Sequence, residues 1–271
     1  MATALITGGT SGIGAAFARA LAGRGYDLVL VARDVDRLEQ SAAELRKTGR
    51  SVEILGSDLA DREQVATVAD RLSDAGRPID VLVNNAGFGM HARLLDEDTS
   101  EFDRAFEVMG RAVYVLSGAA ARTMRERGRG TIINVSSTAG FITMGMYSAL
   151  KAFVTTYSEG LSVELAGTGV RVTAVCPGWV HTEFHERAGI STSSIPSALW
   201  IDADRLAQDG LRDAGRGVVV SIPSHRFRTL IWLARHAPRS LIREVSGRLS
   251  SSRRKPVASA SASATGAGRI G

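Results

Sequence analysis

The chain has 271 residues, of which 44% are hydrophobic and 23% are charged. This length suits one large α/β domain that buries its core without disulfides or a structural metal. The single cysteine, Cys176, excludes an intrachain disulfide and a cysteine-rich metal site, and it predicts a reducing, cytoplasmic location. No stretch approaches the roughly 18 uninterrupted apolar residues of a membrane span, and we recognise no secretory signal.

Short apolar runs alternate with helix-like segments along residues 2–222. Seven runs are candidate strands: 2–7, 27–32, 52–55, 81–83, 131–135, 170–175 and 217–222. Most are rich in Val, Ile and Leu without strict alternation, which is typical of strands covered on both faces. Helical stretches such as 12–23, 37–47 and 62–75 separate them. The pattern predicts one doubly wound parallel sheet of about seven strands with helices on both faces.

The first strand runs directly into a glycine-rich turn, and a helix follows. Gly8 and Gly9 can adopt positive φ, Gly12 allows close approach of a pyrophosphate, and Gly14 allows the helix to pack closely on the strand. The first N–H groups of the helix would then face the phosphates. A plain glycine-rich turn is the alternative. We predict a Rossmann-type fold with cofactor contacts from Gly8, Thr10, Ser11, Gly12, Ile13 and Gly14.

The second strand ends in Ala32, Arg33 and Asp34. A carboxylate at this strand tip would bind a ribose 2′-hydroxyl, whereas an arginine pairs with a 2′-phosphate. Ala32 occupies the position where such a carboxylate would stand, and Arg33 follows it. We therefore predict NADP(H) in preference to NAD(H). The alternative is that Arg33 is a solvated surface charge, and the neighbouring Asp34 keeps that alternative open.

Tyr147 and Lys151 lie four residues apart at the predicted start of a helix, so they share one face. A fixed cation favours the phenolate, and we therefore expect Lys151 to lower the pKa of Tyr147 from its ordinary value near 10. Tyr147 would protonate a carbonyl oxygen, and Ser137, at the end of strand 131–135, would hydrogen-bond that oxygen. A helix-surface pair and ordinary turn chemistry are the competing interpretations.

These motifs occur in one order: residues 7–14, residues 84–87, Ser137, Tyr147 with Lys151, and Pro177 with Gly178. The ordered set resembles the short-chain dehydrogenase/reductase family over roughly residues 2–222. The resemblance implies an NADP(H)-dependent oxidoreductase that interconverts a carbonyl and an alcohol. It assigns catalysis to Ser137, Tyr147 and Lys151, with Lys151 also binding the nicotinamide ribose.

The resemblance also implies further cofactor contacts. Asp58 and Leu59 would contact the adenine. Asn84, Ala86 and Gly87 would support the sheet and line the adenosine ribose. The segment that contains Pro177, Gly178, Val180 and Thr182 would bind the nicotinamide end, with Val180 and Thr182 holding the carboxamide.

Two features depart from the family pattern. Met109 stands where the family usually has an asparagine that orders a water in the proton relay to the lysine. The ten residues from Ser137 to Tyr147 are a few fewer than usual, so we expect a shorter active-site loop and a pocket that is more open on that side. Met109 also favours the alternative function, a nucleotide-responsive binding or regulatory protein with little catalysis. An epimerase or dehydratase fits the 7–14 spacing less well.

The substrate region combines a predicted lid, residues 183–201, with an opposite wall. Apolar and aromatic residues occur on both sides, and we predict a small hydrophobic substrate. The wall residues are Phe88, Met90, Phe141, Met144 and Met146. His91, His181 and His185 lack the spacing of a metal site, so we expect no metal.

The C-terminal end differs from the catalytic domain, which we place at residues 1–223. The net charge is +5, yet residues 224–271 hold ten Arg and Lys and one acid, Glu244, for a net +9. Residues 224–249 predict a basic amphipathic helical segment, broken or kinked at Pro238, and residues 250–271 a disordered tail. We expect the segment to pack on the body or across an oligomer interface, with contact to an anionic membrane surface as the alternative. We predict no nucleic-acid partner.

By analogy with the family, helices near 102–127 and 147–166 would form a homodimer or homotetramer interface.

Overall fold

The computed structural model describes residues 2–90, 92–182 and 199–251, with side chains as far as residue 247. Three sequence predictions concern positions outside these ranges. They are the roles of His91 and His185, most of the predicted lid (residues 183–198), and the tail from residue 252 onward.

Seven strands form one parallel sheet. They are β1 (Thr3–Thr7), β2 (Asp27–Ala32), β3 (Val52–Gly56), β4 (Val81–Asn84), β5 (Gly130–Val135), β6 (Val170–Val175) and β9 (Val220–Ser221). Their order is β3-β2-β1-β4-β5-β6-β9, and every neighbouring pair is parallel. The short strands β7 (Trp179–Val180) and β8 (Trp200–Ile201) form a separate parallel pair. The predicted doubly wound parallel sheet is confirmed.

The last sheet strand is shorter than the predicted run 217–222. Val220 and Ser221 alone are paired in register with β6, opposite Ala174 and Val175. Gly217 has φ 75° and its N–H donates to the carbonyl of Ala214, so it belongs to the turn that precedes the strand.

Helices lie between the strands and after the last one. They are α1 (Gly12–Ala22), α2 (Val35–Arg46), α3 (Arg62–Ser73), α4 (Ser100–Phe106), α5 (Ala112–Glu126), α6 (Gly145–Glu164), α7 (Ala203–Gly215), α8 (His225–His236) and α9 (Arg239–Ser251). A π-helical turn (Glu107–Arg111) joins α4 to α5, and a 3₁₀ turn (Thr138–Phe141) follows β5. The predicted break at Pro238 is confirmed, because Pro238 separates α8 from α9. Helix α9 extends two residues into the stretch predicted to be disordered. No helix within the described ranges is long and apolar enough to span a membrane.

The hydrophobic core lies in two layers, one on each face of the sheet. Adjacent residues of a strand belong to different layers: Leu5 packs with α3 and α5, whereas Ile6 packs with α1, α2 and α7. Likewise, Leu82 belongs to the same layer as Leu5, and Val83 belongs to the same layer as Ile6. Successive strand side chains point to opposite faces, so a sheet covered on both faces needs apolar residues at consecutive positions.

A chain of buried polar side chains crosses one layer near the carboxyl ends of β4 and β5. The Asn84 amide donates to Ser117 Oγ (3.0 Å) and to Asn134 Oδ1 (2.9 Å). The Asn134 amide donates to Ser158 Oγ (2.9 Å), and that hydroxyl donates to the Val154 carbonyl (2.7 Å). Because each buried group has a partner, the chain ties both strands to α5 and α6 without a desolvation penalty. It therefore fixes the strand edge on which the candidate site is built.

Candidate active site

The glycine-rich turn after β1 is packed so closely that side chains do not fit. Gly8 (φ 66°) and Gly12 (φ 52°) adopt the left-handed conformation that glycine favours. Gly9 does not adopt it; a Cβ there would lie 2.9 Å from the Leu30 side chain. A Cβ on Gly14 would overlap the carbonyl oxygen of Gly8. The predicted close packing of α1 on the strand is present.

Asn85 holds this turn in place. Its side-chain amide donates to the carbonyls of Thr7 (3.1 Å) and Gly8 (3.2 Å). In return, Thr7 Oγ1 accepts from the N–H groups of Asn85 (2.9 Å) and Ala86 (3.1 Å). The ends of β1 and β4 are thus joined where the strand order reverses, which is where ligands bind in such sheets. Asn85 and Thr7 are not among the predicted site residues, although both lie inside the motifs 84–87 and 7–14.

The first turn of α1 is suited to an anionic ligand. Asp34 and Asp61 cap α2 and α3 with their carboxylates, but Ser11 makes no side-chain hydrogen bond to the start of α1. No acidic residue occurs in that turn. The Thr182 methyl carbon would lie 3.1 Å from a Cβ on Gly12, which brings the segment after β7 to the same place. The residues present therefore fit the pyrophosphate of a dinucleotide. Contacts from Thr10 and Ile13 remain predictions.

Asp58 lies beside two arginines near the ends of β2 and β3. Burial alone would raise its pKa, but hydrogen bonds from the Ala60 N–H (3.0 Å) and Arg104 (2.8 Å), together with the nearby charge of Arg33, hold the pKa below its usual range. Arg33 itself is exposed. Asp34 is engaged as the cap of α2, where it accepts from the Arg37 N–H (3.0 Å). The sequence analysis did not identify Arg104.

Ser137 and Tyr147 meet where β5 ends and α6 begins. Ser137 Oγ accepts from the Ala139 N–H (3.1 Å), and the Ser137 hydroxyl also hydrogen-bonds to Tyr147. Burial raises the pKa of Tyr147 to about 12, and the bond to Ser137 offsets only part of this rise. The expectation that Lys151 lowers this pKa is therefore wrong for the chain on its own, because desolvation raises the pKa and the Ser137 hydrogen bond is what opposes the rise.

Lys151 is one helical turn farther along α6 and only 5% exposed. Its Nζ donates to the Val135 carbonyl at the end of β5 (3.0 Å) and lies 5.6 Å from the centre of the Tyr147 ring. Burial lowers the pKa of Lys151 to about 8. The ammonium form still predominates at pH 7, so a cation stands beside the tyrosine.

Met109 lies in the π-helical turn and is fully buried. A Cβ on Gly87 would lie 3.1 Å from its sulfur, and the same apolar cluster includes Phe88, Met146 and Tyr147. The site thus has an apolar thioether where the family usually has an amide. Asn84, the last residue of β4, donates to Asn134 within the buried polar chain, and Leu59 and Val180 are buried as well.

The space around Tyr147 is lined with apolar side chains. Phe88, Met90 and Met146 pack against the core beside it. In a separate cluster, Phe141 and Trp179 pack with residues of α8. The His181 ring stacks on Trp200, with centroids 4.4 Å apart. The predicted opening beside the short loop is partly covered, because Ser246 of α9 accepts a hydrogen bond from the Thr143 N–H.

The C-terminal helices rest on the same end of the sheet. The Phe227 ring of α8 fills the space that a side chain on Gly178 would need, and Ile231 and Ile242 are also buried. The opposite face of these helices leaves Leu230, Trp232 and Leu233 exposed. Contact of that face with a membrane stays a prediction.

Comparison with known proteins gives consistent matches. A model of the short chain dehydrogenase family matches residues 2–191. An uncharacterized oxidoreductase of Staphylococcus aureus (strain MRSA252) is 35% identical over 182 residues, which covers 66% of this chain and 78% of that protein. Glycine betaine reductase ATRR of Emericella nidulans is 36% identical over 194 residues, which covers 70% of this chain but 15% of that protein.

Solved structures agree over nearly the whole length. A short-chain dehydrogenase from Sphingobium yanoikuyae in complex with NADPH is 34% identical to this chain, with a TM-score of 0.78. The match covers 96% of this chain and 99% of that chain. The bulky-bulky ketone specific alcohol dehydrogenase from Comamonas testosteroni is 31% identical, with a TM-score of 0.75, 96% and 97% covered. The chain therefore belongs to the short-chain dehydrogenase/reductase family of oxidoreductases, enzymes that use a nicotinamide cofactor.

Proposed function

We propose that the chain reduces hydrophobic ketones or aldehydes with NADPH, and that it oxidises the corresponding alcohols in the reverse direction. One observation carries the proposal. The Ser137–Tyr147 hydrogen bond lies beside the buried ammonium of Lys151, at the strand edge that also carries the glycine-rich turn. An acid, an oxygen-binding hydroxyl and a dinucleotide cradle thus share one crevice.

The preference for NADP(H) is supported by the charges beside the second and third strands. Arg33 is exposed at the tip of β2, and Arg104 lies on the other side of Asp58. Asp34, the acid that could have bound a ribose 2′-hydroxyl, caps α2 instead. A 2′-phosphate would pair with Arg33. The similar enzyme from Sphingobium yanoikuyae was solved with NADPH.

In the proposed reduction, Tyr147 donates its phenolic proton to the carbonyl oxygen. Tyr147 is protonated at neutral pH, as a general acid must be, and efficient proton transfer requires that the bound cofactor and Lys151 bring its pKa down from the raised value in the chain alone. Ser137 hydrogen-bonds the same oxygen and shares its developing charge. Lys151 places a positive charge near the phenolate that forms. The nicotinamide supplies or accepts the hydride when it is bound.

A hydrophobic substrate is supported by the apolar lining around Tyr147. Phe88, Met90 and Met146 pack against the same core cluster as Tyr147, and Phe141 and Trp179 pack against a second cluster. Such surfaces favour carbonyl compounds with aryl or alkyl groups on both sides. The similar alcohol dehydrogenase from Comamonas testosteroni is specific for bulky-bulky ketones.

A homodimer or homotetramer is supported by an exposed aromatic surface on α4 to α6. The rings of Phe106 and Phe153 lie 6.2 Å apart, and those of Phe153 and Tyr157 lie 6.1 Å apart. Tyr157 also donates to the Tyr114 carbonyl (3.2 Å), so the surface is preorganised. Val163 on the same helix is highly exposed. Aromatic residues on rigid helices are typical of protein interfaces.

Replacing Arg33 with Ala should weaken NADPH binding by roughly 10- to 100-fold, since the 2′-phosphate loses a charged partner. NADH binding should stay within about twofold of that of the unchanged chain. Fluorescence titration of both cofactors measures this. Arg24→Ala, at the far end of α1, is the control. Equal affinity of the unchanged chain for both cofactors contradicts the proposed preference.

Replacing Tyr147 with Phe should reduce kcat for an aryl ketone by at least about 100-fold, because the general acid is lost. NADPH affinity should be retained. Tyr157→Phe removes a hydroxyl that binds a backbone carbonyl away from the site and should leave kcat unchanged. Undiminished turnover of Tyr147→Phe would refute the acid role. NADPH binding without turnover of any carbonyl in the unchanged chain would instead favour the nucleotide-responsive regulatory function.

Replacing Lys151 with Met should abolish turnover and yet stabilise the fold at pH 7 by about 1–2 kcal/mol. The pKa of Lys151 is about 8 in the folded chain and ordinarily 10.5, so the folded state carries the full cost of the buried charge below pH 8. That cost shrinks as the pH rises from 8 towards 10.5, and the advantage of the variant should shrink with it. Denaturant unfolding at pH 7 and 9.5 measures both values. Lys47→Met, at an exposed ion pair, should show no such trend. A variant less stable than the parent at pH 7 contradicts the prediction.

Replacing Phe153 with Asp should dissociate the proposed oligomer, because a charge at the centre of the aromatic surface would be desolvated on association. Phe153 is 36% exposed, and Val218→Asp is a matched control because Val218 is 37% exposed away from that surface. Light scattering after size exclusion gives the mass of each variant. A monomeric parent chain, or an unaltered mass for Phe153→Asp, would contradict this interface.

A further inference from the structure

The active-site loop between Ser137 and Tyr147 is short, and each of three consecutive N–H groups in it has a partner. The Ile142 N–H donates to the Ala139 carbonyl (3.2 Å), and the Met144 N–H donates to Ser148 Oγ (3.1 Å). These two bonds are local. The N–H of Thr143 between them donates to Ser246 Oγ (3.2 Å), which is 103 residues away in α9.

Ser246 is a buried hydroxyl on α9, where the residues with described side chains are exposed except for Ile242 and Ser246. It is 1% exposed, and Ile242, one turn earlier, is 7% exposed. Its neighbours Arg243, Glu244, Val245 and Gly247 are all exposed. Serine is rarely buried this completely without a hydrogen-bonding role. The face of α9 that points into the protein therefore delivers one acceptor to the loop.

The helix that precedes α9 is anchored on the opposite side of the same loop. Phe227 packs directly against Gly178, and Phe141 of the loop lies in the same apolar cluster as Phe227 and Ile231. The Arg235 guanidinium lies 5.7 Å from the centre of the Phe141 ring. Thr138 at the start of the loop donates to the Pro177 carbonyl through its N–H (2.9 Å) and its hydroxyl (3.1 Å).

We propose that helices α8 and α9 position the shortened active-site loop, and that Ser246 is the positioning residue that sets the loop backbone ahead of Tyr147. The inference rests on the proposed function for its catalytic consequence. The loop's own local hydrogen bonds leave the Thr143 N–H to a distant helix, which supplies its acceptor. Ser246 acts through the Thr143 backbone, on the wall formed by Met144 and Met146, and so affects substrate fit more than cofactor binding.

Ser246→Ala in the full chain removes the acceptor for the Thr143 N–H. We expect kcat/KM for a diaryl ketone to fall about tenfold, the effect of one lost partly buried hydrogen bond, with KM rising more than kcat falls. The Kd of NADPH should change by less than about twofold. Ser246→Thr keeps the hydroxyl and should restore most of the activity. Ser240→Ala, at an exposed position of the same helix, is the control.

Hydrogen exchange of the peptide covering residues 138–147 provides a readout that does not require turnover. Ser246→Ala should accelerate exchange in this peptide, with Ser246→Thr and Ser240→Ala close to the parent. Unchanged exchange in Ser246→Ala would overturn the positioning role. Equal acceleration in Ser246→Ala and Ser246→Thr, or a general loss of protection across the sheet, would also overturn it. If the parent chain reduces no carbonyl compound, the proposed function fails, and the exchange measurement still decides whether Ser246 positions the loop.

Discussion

The side-chain amide of Asn85 donates to the backbone carbonyls of Thr7 and Gly8, and the rest of the site is arranged around that junction. The amide occupies the space beside the turn, because a Cβ on Gly8 or Gly14 would collide with its nitrogen. Glycine at both positions lets α1 begin directly behind the turn. The uncapped first turn of α1 consequently faces the crevice between β1 and β4, where the direction of strand order reverses.

The catalytic side chains depend on a second junction, between β5 and α6. Lys151 gives one hydrogen bond to the Val135 carbonyl, and the buried chain that includes Asn134 and Ser158 holds the same strand and helix together. An ammonium that is buried with so few partners destabilises the fold, as its lowered pKa indicates. The charge is useful only where it can act on the neighbouring phenol. The buried polar chain and the apolar layers therefore hold Lys151 beside Tyr147, although burial of its charge disfavours this arrangement.

The sequence predicts the parts of the molecule that depend on local patterns. Apolar runs identify the sheet because both of its faces are covered, and the glycine turn with Tyr147 and Lys151 identifies the crevice. What it misses depends on distant contacts. Arg104 donates a hydrogen bond to Asp58, which is 46 residues away in the sequence, and no local pattern predicts that pairing. The expected fall in the pKa of Tyr147 was wrong for the chain on its own for the same reason, because spacing reveals the nearby cation but not the burial that raises the pKa.

The π-helical turn around Met109 shows that the backbone geometry of this site does not depend on a polar side chain at its centre. A π turn adds a residue to a helical turn and is common at functional sites. Here the turn is present although the residue at its centre is apolar, and Met109 packs closely on Gly87, where a Cβ would lie 3.1 Å from its sulfur. Packing between the helix and the end of the 84–87 segment is therefore sufficient to accommodate the turn without an asparagine. If Met109 stands in place of the asparagine that the resemblance implies on a proton path towards Lys151, we expect the replacement to affect proton movement and not the binding of cofactor or substrate.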